Sequence, residues 1–316
     1  MPTEHRLPLR GQPGVSQGDT GWGTLCGIPL THPVINASGT FDALAAHRAF
    51  GDALFDRFPF SAYVTKTVTL QPRAGNPPPR LWELGAGMIN SIGLPNKGLD
   101  RFLDEDLREI CHLPVPIVVN VMGANADEFA ALVEPVAARD EVAAVELNVS
   151  CPNVKTGLDI GADPGEAAAL VARLRPLTGK PLIVKLTPNT ASPAAVAEAV
   201  EAAGADAVSL INTLRAAALH PRTREPWLGG GTGGMSGPAV RAVALAQVVA
   251  VRARCALPIV GMGGVQTGTH ARDLLDAGAT VVAVGTESFR DPLAGAGVAT
   301  ELAVLGVPAA PAAAVS

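Results

Sequence analysis

Two lysines and a cysteine stand where side chains of their kind can do chemistry. Lys66 and Lys185 each interrupt an apolar run, "AYVTKTVT" and "PLIVKLTP". A lysine in a strand is costly to bury unless its ammonium is paired. Two chemistries follow: a Schiff base with a carbonyl substrate, or a cation held against electron-rich or anionic ligand atoms. Cys151 closes a third run, "AVELNVSCPNVKTG", with Asn148 before it and Asn153 after it. Its thiol can be an inert small hydrophobe, a nucleophile with a histidine base, or a proton-transfer base poised over a substrate. None of the six histidines ends a strand-like run, and His220 and His270 fall in loop or helix-start contexts.

Asparagine is poor strand material, yet several runs end in polar residues. The endings are Asn36 with Ser38, Lys66 with Thr67, Asn120, Asn148 with Cys151, Lys185, and Asn212 with Thr213. A single asparagine at a strand end is ordinary turn chemistry. Six such endings look like one site assembled from many strands. The last two runs end in Gly263-Gly264 and in Gly285-Thr286. Glycine lets backbone N–H groups approach an anion, and a following helix N-terminus adds a favourable dipole. Ordinary tight turns are the alternative.

The elements that must carry these residues are strands alternating with helices. Strand-like runs end near Gly39, Thr69, Gly123, Ser150, Pro188, Leu214, Gly264 and Glu287. Helical patterns over 98–110, 126–139, 164–177, 192–203, 238–254, 267–277 and 292–305 lie between most of them. Several start with proline in the first turn, and Gly204 and Gly278 sit where a helix would stop. The alternation predicts a (β/α)8 TIM barrel; an open doubly wound sheet is the alternative. In a barrel all strand C-termini share the rim that carries active sites. Long segments at 70–97 and 215–237 follow the second and sixth strands, so both belong on that rim as inserted loops. Within the second, "GGGTGG" (Gly229 to Gly234) formally fits a dinucleotide fingerprint but has no strand directly before it. It reads as a flexible lid. Residues 1–20 read as a flexible extension, 21–306 as a single domain and 307–316 as a flexible tail.

Composition narrows the function classes. The chain has 316 residues, 48% hydrophobic, which excludes general disorder. A formal net charge of -5 without a basic stripe argues against nucleic acid as partner. No apolar run has the length of a membrane span and no signal-peptide core is visible, so a cytoplasmic location is expected. Cys26, Cys111, Cys151 and Cys255 are scattered without C-x-x-C spacing. They read as free thiols, with no metal and no iron–sulfur cluster held by this chain.

With these residues in view, the chain resembles the dihydroorotate dehydrogenases. The motifs are "NVSCPNVKTG", "TKTVTLQPRAGNPPPR", "GMINSIGLPNKG", "INTLR…TGGMSGPAV", "GMGGV" and "AVGT", over about residues 24–305. Cysteine rather than serine in the first motif is similar to class 1. "SCPNVKTG" followed by "IGADP", together with "NTL", resembles subclass 1B, the NAD-linked form; Pro95 is closer to the fumarate-linked class 1A. A dihydropyrimidine dehydrogenase-like domain shares the cysteine loop, but typically has histidine where Asn153 stands. The resemblance implies FMN held by Ser38, Lys66, Thr67, Asn120, Asn148, Lys185, Ile211, Gly237, Gly263, Gly264, Gly285 and Thr286. It implies dihydroorotate or orotate held by Lys66, Asn90, Ser91, Ile92, Gly93, Leu94, Asn148, Asn212 and Thr213, with Cys151 as the base. It also implies a homodimer flanked by partner subunits that carry FAD and a [2Fe–2S] centre, the whole serving pyrimidine biosynthesis.

Overall fold

The structure, a computed structural model, describes residues 22–150 and 160–306. The expected extension at 1–20 and tail at 307–316 lie outside them. Eight strands form one parallel sheet: β1 (Val34–Asn36), β2 (Tyr63–Val64), β3 (Ile117–Val121), β4 (Val142–Asn148), β5 (Leu182–Lys185), β6 (Ala207–Leu210), β7 (Ile259–Met262) and β8 (Val281–Val284). From β2 to β8, neighbours in sequence are neighbours in the sheet, and β8 pairs back onto β1. This is the (β/α)8 barrel that the strand–helix alternation predicts, and the open doubly wound alternative falls away.

The ladder is interrupted between β1 and β2, and a side chain closes it. The Val64 N–H donates to Asn36 Oδ1 at 2.8 Å, and Asn36 Nδ2 donates to the Val64 carbonyl at 2.7 Å. An amide side chain copies the donor and acceptor of a peptide group, so Asn36 replaces a missing strand partner. It is fully buried. Asn36 is therefore a seam residue, not the rim residue that its place in the sequence suggested.

The helices bury apolar stripes against the outer face of the barrel. Val119, Val145, Leu147, Val184, Val208 and Val282 point outward into that core. Alternate residues point inward: Val64, Val118, Ala144, Ile183, Ala207 and Val260 fill the interior. The hairpin Gly23–Leu25/Ile28–Leu30 adds Leu25, Ile28 and Leu30 to this inner cluster and plugs the end away from the strand C-termini. Helix starts follow the sequence signals. Asn125, Asp163, Ser192 and Thr267 each accept a backbone N–H three residues on. The 98–110 helix contains a π-helical turn at Phe102–Asp106, and a capped helix at Ala43–Phe50 joins those the pattern marked. Among the described residues no helix is long and apolar enough to cross a membrane.

The two insertions are not loose loops. Leu81–Leu84 and Gly87–Asn90 from the first pair with Leu214–Ala216 and Gly233–Ser236 from the second in a four-stranded antiparallel sheet. Gly233 and Gly234 are strand residues whose missing side chains let backbone and Thr213 pack against them. The flexible lid expected at "GGGTGG" is thereby corrected for its last two residues.

Candidate active site

A cavity of about 380 Å³ opens at the C-terminal rim, between the barrel and the antiparallel sheet. From the barrel come Ser38, Lys66, Thr67, Asn148 and Lys185, with Ile211, Asn212 and Thr213 beyond β6. From the far end of the rim come Gly263, Gly264, Gly285 and Thr286. The insertions contribute Asn90, Ile92, Gly93, Leu94 and Gly237. Residues separated by most of the chain thus share one wall, because parallel strands all end on the same side.

Two of the expected site residues do not reach that wall. Ser91 is fully buried and accepts from Asn76 Nδ2 at 3.0 Å. Successive residues of an extended segment face opposite ways, so with Asn90 turned to the cavity Ser91 turns from it. Asn120 is buried one layer down, donating to Glu146 Oε1 at 2.5 Å. Cys151 lies outside the described residues. The chain leaves β4 through Ser150 and is tied again at Gly161, whose N–H donates to the Val149 carbonyl at 3.0 Å.

The amides are wired together. Asn212 Nδ2 donates to Ser150 Oγ, which donates to Asn148 Oδ1 at 2.9 Å, while Asn148 Nδ2 donates to Thr67 Oγ1 at 3.3 Å. Three strand ends are held in one register by this relay. Behind it, Asn189 Nδ2 donates to the Thr213 carbonyl at 3.0 Å and Asn189 Oδ1 accepts the Arg215 N–H at 2.8 Å. Asn189 follows β5 in "TPNT", and its signal was the same amide-after-strand pattern. Met88, Ser236, Met262 and Phe289 also line the cavity; nothing in their local sequence distinguished them from core or turn residues.

The two lysines differ. Lys185 is 5% exposed, and among the described residues its ammonium forms no hydrogen bond or ion pair. Lys66 meets solvent through the open cavity. The protein around it still holds its ammonium below the ordinary lysine range, through lost hydration, with Asp42 pulling the other way.

Residues 23–305 match the family model described as dihydroorotate dehydrogenase. The chain belongs to that family. A relative from Geotalea daltonii is 45% identical over 271 residues, 85% of this chain and 88% of that one. Others from Bacillus pumilus (43% over 269 residues; 85% and 86%) and Desulforudis audaxviator (43% over 282; 88% and 90%) are similar. All three are named as the catalytic subunit of dihydroorotate dehydrogenase B (NAD(+)). A solved dihydroorotate dehydrogenase from Eimeria tenella, in complex with ferulenol, superposes with a TM-score of 0.75 at 21% identity. It covers 95% of this chain and 90% of that chain, and speaks to the fold.

Dihydroorotate dehydrogenases use a flavin, and the cavity can be tested against one. At the glycine end, Gly263 and Gly264 have φ of 133° and 71°, and their N–H groups have no protein acceptor among the described residues. A Cβ there would lie 2.6 Å from Ala244 Cβ or 2.7 Å from Arg241 Cβ. Unpartnered N–H groups on a cradle that side chains would fill suit a phosphate. At the other end, Lys185 and the amides supply a cation and directional donors and acceptors. The residues present fit FMN, and the family leaves no support for the Schiff-base reading of the lysines.

Proposed function

We propose that this chain oxidises dihydroorotate to orotate in pyrimidine nucleotide (UMP) biosynthesis, with FMN in the rim cavity. The observation that carries the reading is the convergence of the amide relay, two lysines and the glycine cradle on one cavity. Gly263, Gly264, Gly285 and Thr286 would hold the phosphate of FMN, with Gly237 beside them. Lys185, Ser38, Thr67 and Ile211 would border its ring. Asn120 would act from beneath, its amide held by Glu146. When bound, the flavin supplies the two-electron acceptor for the hydride that leaves C6 of the substrate. The protein binds and orients. Lys66 faces the substrate carboxylate, and Asn90, Asn148, Asn212 and Thr213 present amides and a hydroxyl to the pyrimidine edges. Ile92, Gly93 and Leu94 close the remaining side, and Ser91 secures their segment from behind. Cys151 takes the proton from C5.

The same reading makes residues 21–306 one FMN-binding domain of a cytoplasmic enzyme. It pairs two copies of this chain with two electron-transfer subunits that hold FAD and [2Fe–2S] and deliver electrons to NAD. The relatives' designation as catalytic subunits supports such a partner. The test is preparative and kinetic. The purified chain should carry one non-covalent FMN and reduce a dye with dihydroorotate. Cys151→Ser should bind orotate yet lose most turnover, because a hydroxyl is far harder to ionise than a thiol of pKa about 8.5. A serine variant as fast as the parent removes Cys151 from the mechanism, and rapid fumarate reduction favours the class 1A alternative.

A further inference from the structure

Beneath the cavity a carboxylate is buried without a cation against it. Glu146 lies on β4, one inward position below Asn148, and is 3% exposed. Asn120 Nδ2 donates to Oε1 at 2.5 Å and Ser209 Oγ to Oε2 at 2.7 Å. Among the described residues no basic side chain forms an ion pair with it. Each carboxylate oxygen has one neutral side chain within hydrogen-bond distance. Two neutral donors offset only part of the cost of burying a charge.

The strand register shows where the remaining compensation lies. Lys185 on β5 pairs with Asn148 on β4 and with Ser209 on β6. Glu146 therefore reaches Ser209 across the inner face of β5, directly beneath Lys185. Two buried, opposite charges thus occupy successive levels of the barrel interior, Lys185 on the cavity wall and Glu146 beneath it. In a low-dielectric interior such charges act on each other beyond contact distance.

We propose that Glu146 is the counter-charge of Lys185 and, as a positioning residue, sets the reduction potential of the flavin bound above. This rests on the flavin site proposed for the cavity. Adding electrons to a flavin builds negative charge, which Lys185 favours and Glu146 opposes. Removing the Glu146 charge leaves the ammonium uncompensated and makes the flavin easier to reduce. Glu146 also fixes the amide of Asn120, whose Oδ1 is buried without a partner. An ionised carboxylate requires the Nδ2 side to face it.

The experiment is a redox titration of the flavin-loaded full chain against a reference dye, for wild type, Glu146→Gln and Ser209→Ala. Glu146→Gln keeps the volume and can accept from Asn120 while donating to Ser209. Its reduced-to-oxidised ratio at fixed potential should rise about tenfold, equivalent to about 30 mV for a two-electron couple. Ser209→Ala withdraws one donor from the carboxylate without altering the cavity wall. Its flavin should become harder to reduce at fixed pH, because withdrawing the Ser209 hydroxyl leaves more of the carboxylate's charge uncompensated beneath the cavity. It decides the matter if the glutamine variant does not fold. A purely structural role would lower the melting temperature or flavin content and leave the potential of the retained flavin unmoved. Flavin-loaded variants with the wild-type potential overturn the proposal. A wild-type chain that takes up no flavin overturns the cavity assignment instead.

Discussion

Lys66 shows how one residue connects burial to ligand binding. Its ammonium is held below the ordinary range chiefly by lost hydration. A carboxylate arriving beside it favours the charged form and returns the pKa upward. Orotate binding should therefore take up protons from solution, increasingly as pH rises toward the lowered pKa of Lys66. Calorimetry of the flavin-loaded chain in buffers of different ionisation enthalpy reads this directly. Binding enthalpies independent of buffer through the alkaline range would remove Lys66 from the carboxylate. Lys185→Ala should separately weaken flavin retention; full yellow occupancy in that variant counts against its placing. Lys66, Lys185, Asn148 and Asn212 were legible in the sequence because each breaks an apolar run at its end. Glu146 was not. In "AVELNVS" the residues Val145, Leu147 and Val149 set the apolar phase, and an apolar phase normally marks the inside. In this barrel that phase faces the helices, so the polar residues between them, Glu146 and Asn148, face the interior.

At the level of elements, the seam and the inserted sheet are the two devices that local pattern did not disclose. Asn36→Ala should leave the N–H and carbonyl of Val64 unpaired in a buried position, each costing about 1–3 kcal/mol. Urea unfolding should show that loss, whereas an unchanged midpoint would mean water or backbone closes the seam equally well. Gly234 packs so tightly that a Cβ would fall 1.9 Å from Thr213 Oγ1. Gly234→Ala should displace Thr213, and overpacking of about 1–3 kcal/mol should raise the KM for dihydroorotate roughly tenfold with flavin retained. Equal KM values would detach Thr213 from the substrate. The barrel strands could be read because each is a short apolar run followed by an amphipathic helix. The inserted strands could not, since Gly, Pro and Asn disfavour strand. Their pairing also joins Asn90 to Gly234, 144 residues apart.

For the molecule as a whole, the question is where the electrons go. The described residues hold one candidate flavin cavity at the rim, and Cys26, Cys111 and Cys255 are free and apart. The isolated chain should turn over with a dye and stall with NAD, and adding an FAD- and iron–sulfur-bearing subunit should restore NAD reduction. Rapid NAD reduction by the chain alone would sink the two-subunit scheme. The back-pairing of the eighth strand onto the first also bears on how the protein is made. β1 is among the first parts of the barrel to leave the ribosome, but its sheet partner β8 ends only at Val284. At about 5–20 residues per second, the first strand waits on the order of tens of seconds for its neighbour. The strands at 81–90 wait similarly for 214–236. Until those partners emerge the nascent chain should carry open strand edges, so capture of the proposed cofactor is expected only once synthesis is nearly complete.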